Sequence, residues 1–245
     1  MDVFNNDPLL FGVGFHAEVN AYAASFGTVS SDANLPDYVL KALKNMRYIS
    51  VRDKKSAAVV ERLTGKRPKV VLDPTWLWNF NEDRNVIKPK EEGYILVYGQ
   101  DFTPDFINNL CTYAKVSKRR IIALDCNNDH YGWCDEMISQ KDLTPFQWLG
   151  YFKYAAVVAT STFHGITFSL IFNKNFAFCK TSFIMAKVDQ FLKELNLFEL
   201  FDKDENDVFG MLNHDFNYPL INKIIEKKKE ESLAFLCMAC NKNGK

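Results

Sequence analysis

The chain reads as an α/β protein of two Rossmann-like halves with parallel sheets. Three observations predict this. Short apolar runs rich in Val, Ile and Ala each end in Gly, Asp, Ser or Thr, and segments of helical spacing separate them. One run, Tyr154-Ala155-Ala156-Val157-Val158-Ala159-Thr160-Ser161-Thr162-Phe163-His164-Gly165, passes from an apolar strand through a polar turn into a helix start.

In chain order, residues 21–27 read as a buried strand ending at the Gly27 turn, and 35–43 as a short helix after Pro36. Residues 46–51 read as the next strand, which delivers Ser50-Val51-Arg52-Asp53 to a loop. Helical spacing over 55–63 stops at Thr64-Gly65. A strand over 70–72 ends in Asp73-Pro74-Thr75. The polar stretch 79–93, with Pro89, predicts a linker. After it come a strand over 94–98, a helix over 105–115, a strand over 120–124 and a polar loop through Trp133. A helix over 145–152 and the strand-turn-helix of 154–170 follow. A strand near Phe176, a helix over 184–195 and a charged helix from Tyr218 to about Cys240 finish the chain. The expected units are a partial Rossmann-like unit over 1–80, a Rossmann-like unit over 93–215, and a helical tail over 216–245 that packs back on the first.

With 245 residues, 47% hydrophobic and 24% charged, the chain has enough apolar material for a sizeable core. Lys+Arg and Asp+Glu each total 30, so no global field draws nucleic acid to it. No apolar run approaches the roughly 20 residues of a membrane span, and the protein is expected in the cytoplasm. The six cysteines, Cys111, Cys126, Cys134, Cys179, Cys237 and Cys240, lack the spacing of a disulfide scaffold and read as reduced thiols. Cys237 and Cys240 have no second pair with which to form a four-thiolate site, so no metal is expected.

Arg52 stands where a strand ends, placed either to clamp a carboxylate or phosphate or to pair with Asp53 or Asp73 and pin a loop. Asp73 orients Arg52 or closes the turn with Pro74. His164 differs from His16, His130 and His214 in standing between an apolar strand and a glycine, and reads either as a core histidine or as an acid/base. Gly165 would let a ligand approach the backbone, and the first turn of a helix there offers unpaired N–H groups to an anion. Ser161 lacks the elbow of a serine hydrolase, and Gly12-Val13-Gly14 lacks a third glycine and a Walker lysine.

Taken in order, Ala21-Tyr22-Ala23-Ala24-Ser25-Phe26-Gly27, Ile49-Ser50-Val51-Arg52-Asp53, Val71-Leu72-Asp73-Pro74-Thr75 and Thr160-Ser161-Thr162-Phe163-His164-Gly165 resemble the polysaccharide pyruvyl transferase family. Glu231-Ser232-Leu233 resembles its last helix. The resemblance implies the architecture of two-domain, GT-B-like glycosyltransferases. It also implies transfer of the enolpyruvyl unit of phosphoenolpyruvate to two sugar hydroxyls as a ketal, in capsule or exopolysaccharide synthesis. Arg52 would bind the donor's anionic groups and His164 would contact the donor or act as acid/base. Thr160, Ser161, Thr162, Phe163 and Gly165 would hold its phosphate, and Asp53 and Asp73 would support them. No cofactor is implied beyond the donor substrate. The partners would be phosphoenolpyruvate and a saccharide acceptor, lipid-linked or nucleotide-linked, the lipid-linked form bringing the protein to the inner membrane face.

Some members carry arginine where this chain has Thr162. The family usually begins with a further stretch of about 100 residues, nearly a small domain. The first half is therefore expected to be incomplete, with a sheet edge covered by a second copy or another protein. Two other readings share these residues: a GT-B-like glycosyltransferase using a nucleotide sugar, and a non-catalytic remnant that binds sugar or a partner protein.

Overall fold

A computed structural model describes residues 7–27, 29–125, 131–180, 182–202 and 207–241. Cys126 and His130 lie outside the described residues. The chain divides into two compact units, one of residues Met1–Leu77 with Asn222–Lys245, the other of Trp78–Ile221.

The first unit carries a parallel sheet of strands β1 (Ala21–Ala24), β2 (Ile49–Val51) and β3 (Lys69–Val70), in that order. Helices α1 (Asp37–Asn45) and α2 (Lys54–Thr64) are the crossovers. Side chains alternate along a strand, so β2 serves both faces. Val51 packs with Val39, Leu43, Val59 and Val60 of the two helices. Tyr48, just before β2, packs with Ala23, Val71 and Phe235 of the last helix. Asp53 caps α2 through Ser56 N–H, and Gly65 closes it at φ 74°, a left-handed conformation that glycine adopts without a Cβ penalty.

All three strands are shorter than the sequence predicts, because hydrogen bonds outside the ladder take the backbone groups at their ends. Ala23, at φ 51°, breaks the β1 register, and its N–H donates to Ser50 Oγ at 3.0 Å. Phe26 N–H, beyond the strand, donates to Ser56 Oγ at 2.8 Å. Met46 N–H closes α1 on the Ala42 carbonyl, which keeps 46 out of β2. Leu72 N–H leaves the sheet for Ser232 Oγ at 3.0 Å.

The second unit is a five-stranded parallel sheet. Its strands are β4 (Ile95–Tyr98), β5 (Ile121–Leu124), β6 (Glu136–Ile138), β7 (Val157–Thr160) and β8 (Asn175–Phe178), in spatial order β6-β5-β4-β7-β8. β5 and β7 are buried along their whole length, as the unbroken apolar runs of strands covered on both faces require. The crossover helices are α3 (Pro104–Ser117), α4 (Pro145–Tyr154) and α5 (Phe163–Ile171). Thr103 and Thr144 cap α3 and α4, each followed by proline at the first helical position.

The sequence reading assigns no element to residues 136–138, which form β6. Its Met137 is 44% exposed and it pairs on one side only, so it lacks the apolar signal of the inner strands. Asp135, just before it, accepts the Ile121 N–H at 2.7 Å and sets it against β5. The stretch 79–93, expected as a linker, packs on α4. Ile87 N–H bonds the Phe146 carbonyl, and Lys153 Nζ donates to the Asn81 carbonyl. A Cβ on Gly150 would sit 1.8 Å from the Ile87 carbonyl oxygen, so only glycine admits this strap.

After α6 (Ser182–Glu194), two short helices that the sequence reading did not foresee, α7 (Phe198–Asp202) and α8 (Val208–Leu212), cover the β8 side. Phe201 stacks on Phe176 at 5.0 Å, and Asn175 Nδ2 donates to the Leu212 carbonyl. The last helix, α9 (Tyr218–Cys240), gives its residues from Asn222 onward to the first unit.

Ser232 is 1% exposed, and its hydroxyl accepts from Leu72 while donating to the Lys228 carbonyl. Ser232→Ala orphans a buried N–H, which costs about 1–3 kcal/mol. A fall of that size in the urea unfolding free energy is expected, and an unchanged midpoint would show that water replaces the hydroxyl.

Candidate active site

In the second unit the chain leaves β4 toward β5 on one side of the sheet and leaves β7 toward β8 on the other. The carboxyl ends of β4 and β7 therefore bracket the topological switch point, where open α/β sheets take ligands. Tyr98-Gly99-Gln100 follow one strand and Ser161-Thr162 the other.

Hydroxyls tie these two ends together. Thr160 is fully buried, and its Oγ1 donates to the Tyr98 carbonyl at 2.5 Å while accepting from Thr162 N–H at 3.1 Å. Ser161, 4% exposed, donates to the Gln100 carbonyl at 2.6 Å and accepts from Gln100 N–H at 2.9 Å. The approach is so close that a Cβ on Gly99 would lie 2.3 Å from Ser161 Oγ. Tyr131 donates its hydroxyl proton to the Gly99 carbonyl from the other side. The side chains of Thr160 and Ser161 thus build the turn from within.

Thr162 caps α5 by accepting the Gly165 N–H at 2.9 Å. A Cβ on Gly165 would meet Thr160 Oγ1 at 1.9 Å, so the first helical turn rests directly on the strand end. The backbone expected to cradle phosphate has its Thr162 N–H engaged by Thr160, and the Gly165 N–H engaged by Thr162. Thr162, Phe163 and His164 are half-buried at this turn. The His164 ring lies edge-on to Phe163 at 5.3 Å and 6.4 Å from Phe168. Phe168 itself packs on Trp148, Phe152 and Phe80. His164 stands at the carboxyl end of the sheet, against an aromatic wall.

In the first unit Arg52 and Asp73 follow β2 and β3. Of the two partners open to Arg52, the structure shows Asp73: Nη1 reaches Oδ2 at 2.5 Å, with the arginine side chain 26% exposed and the aspartate 6%. Asp73 Oδ1 accepts the Thr75 N–H at 3.1 Å and the Thr75 hydroxyl at 2.9 Å, closing the turn at Pro74. Asp73 therefore both orients Arg52 and closes the turn. Asp53 does different work: its carboxylate accepts from Ser25 Oγ, Ser56 N–H and Ser56 Oγ, joining the end of β1 to the start of α2. Sequence reasoning passed over Ser25 and Ser56. The signal for Ser56 was present as an Asp three residues ahead of it at a helix start.

Burial raises the Asp73 carboxyl, but the Thr75 N–H, the Arg52 guanidinium and the Thr75 hydroxyl outweigh it and hold the group below the ordinary carboxylate range. Among the described residues no group of three or more His, Cys, Asp or Glu is arranged to hold a metal ion. The five described cysteines are free thiols, with Cys134 pushed up to about 12 by burial and by its neighbours Cys111 and Asp135.

A depressed folded pKa gives stability that is fully present above the unfolded value of about 3.9 and is lost as pH falls through the folded value. Acid titration of the unfolding free energy is therefore expected to fall below about pH 4 more steeply in the native chain than in Asp73→Asn. Equal slopes would show that Asp73 is not held ionised by its partners.

Residues 10–182 match the profile of the polysaccharide pyruvyl transferase family. Among solved structures, UDP-GlcNAc 2-epimerase from Methanocaldococcus jannaschii aligns with a TM-score of 0.57 at 12% identity, over 90% of this chain and 70% of that one. The apo structure of OtsA gives a TM-score of 0.48 at 11% identity, over 84% of this chain and 64% of that one. At such identity the epimerase likeness speaks to the α/β fold alone. A search of curated proteins gave no match. No helix among the described residues is long and apolar enough to cross a membrane. The matched span covers well over half of the chain and contains Arg52, Asp73 and the Thr160–His164 turn, and the chain belongs to the polysaccharide pyruvyl transferase family.

Proposed function

We propose that the chain transfers the pyruvyl group of phosphoenolpyruvate to a pair of saccharide hydroxyls, forming a cyclic ketal during synthesis of a capsule, exopolysaccharide or cell-wall polymer. The observation that carries this reading is the position of His164. A titratable group stands on the first turn of a capped helix, at the switch point of a parallel sheet, inside the span that matches the family.

The chemistry needs one positioned acid and one held anion. A first hydroxyl adds to the enol carbon while the methylene carbon takes a proton from His164, and the proton given up by that hydroxyl restores the imidazolium. A second hydroxyl then displaces phosphate from the same carbon, and its proton leaves with the phosphate. The positive end of the α5 dipole favours the negative charge of the donor. Arg52 supplies a guanidinium for the donor's carboxylate or phosphate, and the Asp73 carboxylate fixes its direction.

Two variants separate these roles. His164→Asn is expected to lower phosphate release about 10²–10⁴-fold with little change in donor affinity. Arg52→Lys keeps a cation opposite Asp73 but loses the planar fork, and is expected to weaken calorimetric binding of phosphoenolpyruvate about tenfold. Absence of saturable donor binding by the folded native chain would sink the reading.

A further inference from the structure

The transfer chemistry needs one group more than His164 and Arg52. An imidazolium that is giving its proton to the methylene carbon cannot take, in the same step, the proton that the attacking hydroxyl gives up. A second group must hold that proton until the imidazole is free to accept it. A carboxylate at the switch point would serve.

The carboxyl end of β4 carries one. Asp101 stands in the turn Gly99-Gln100-Asp101-Phe102 between β4 and α3. Its neighbours in that turn are tied down. The Gly99 carbonyl accepts from Tyr131, both backbone groups of Gln100 are on Ser161 Oγ, and Phe102 stacks on Phe106 at 5.5 Å. Ser161 is the first residue past β7. Asp101 is thus one residue, and His164 three residues, from the same tie across the switch point.

Asp101 itself is exposed and sits at φ 57°, a left-handed backbone that is costly for a residue with a Cβ. Asp visits that region more readily than most residues because its carboxylate can bond to nearby backbone. Here it does not. Among the described residues no hydrogen bond or ion pair engages the Asp101 side chain, and the cap of α3 comes from Thr103. Glycine would make the same turn without a Cβ penalty. The turn therefore accounts for the backbone of Asp101 and leaves its carboxylate unexplained. Neighbouring acids have other uses or places. Asp105 lies in the first turn of α3, where negative charge offsets the dipole. Asp125 follows β5, which β4 separates from β7.

We propose that Asp101 is the catalytic base that takes the proton from each attacking hydroxyl. The assignment rests on the pyruvyl-transfer reading and adds a residue to it. In the first step the hydroxyl oxygen forms its bond to the enol carbon and its proton passes to the Asp101 carboxylate. The electron pair of the double bond takes the His164 proton at the methylene carbon, and Asp101 then hands its own proton to the neutral imidazole. In the second step the other hydroxyl attacks the same carbon, and the bond to phosphate breaks with its electron pair on the phosphate. The hydroxyl proton passes through Asp101 to the departing phosphate. Both groups end as they began, Asp101 ionised and His164 protonated.

The test measures phosphate release from phosphoenolpyruvate with methyl hexopyranosides as acceptors, beside calorimetric binding of the donor to the same samples. Asp101→Asn keeps a residue suited to left-handed backbone. It is expected to lower kcat about 10²–10⁴-fold with donor affinity unchanged. Asp101→Gly is expected to fold with a melting temperature no lower than that of the native chain. It should lose activity as the Asn variant does and regain part of it as sodium formate is added, because a free carboxylate takes the place of the missing one. Were Asp101 there for the turn alone, the glycine variant would be fully active. Native kcat in either variant, or a loss in Asp101→Gly that formate does not repair, would overturn the proposal. Donor binding by the native chain without phosphate release would overturn the base role and leave the donor site standing, whereas absence of donor binding would sink the pyruvyl-transfer reading and the base with it.

Discussion

Buried hydroxyls that replace ladder hydrogen bonds at strand ends are the constraint on which the rest depends. A parallel strand that stops inside a protein leaves backbone groups that water cannot reach, and each must find a partner. Here Ser50 takes the Ala23 N–H, Ser56 takes that of Phe26, Ser161 takes that of Gln100 and Ser232 takes that of Leu72. At Phe26, Gln100 and Leu72 the bond lets the chain turn out of its sheet at a defined residue, and at Ala23 it accompanies the shift of register within β1. These turns are where the part-exposed candidate groups stand: Arg52 follows Ser50, and His164 follows Ser161. A serine or threonine in a strand-end motif thus has structural work to do before any ligand arrives.

The two units treat positive charge differently. Arg52 is answered by Asp73, an aspartate that is itself buried and doubly bonded to Thr75, so its guanidinium points in a fixed direction at modest net charge. Such a group reads the shape of an anion, not merely its sign. In the second unit the residue before Phe163 in the His-Gly motif is Thr162, whose hydroxyl caps α5.

Much of this was legible in the sequence. Apolar runs of Val, Ile and Ala located the inner strands because burial on both faces leaves no polar positions, and Pro-led helices declared their own starts. β6 escaped because an edge strand of Glu, Met and Ile carries the pattern of neither strand class. The tail of β3 was overread because Val71 and Leu72 are apolar and buried, while the partner of Leu72 lies 160 positions away. At the site, the Arg52–Asp73 pair was one of two alternatives that spacing left open. The Ser161–Gln100 tie was invisible, since nothing local tells a serine which loop will pass beside it. Gly165 was noticed for the right property, its missing side chain, but the atoms it makes room for are those of Thr160.

The bond between Leu72 and Ser232 also orders events in time. Asp73 follows directly on a residue whose amide is satisfied from the last helix, and Phe235 of that helix fills the face of the first sheet beside Ala23 and Val71. The second unit is continuous in sequence and can close as soon as its own strands are made, whereas the first must wait until Ser232 has been synthesised. Contacts of such long separation slow folding, because the entropy of loop closure is lost before they form. During synthesis the segment that bears Arg52 therefore spends the longest time with its apolar face uncovered, and it is the part of the chain with most need of a chaperone.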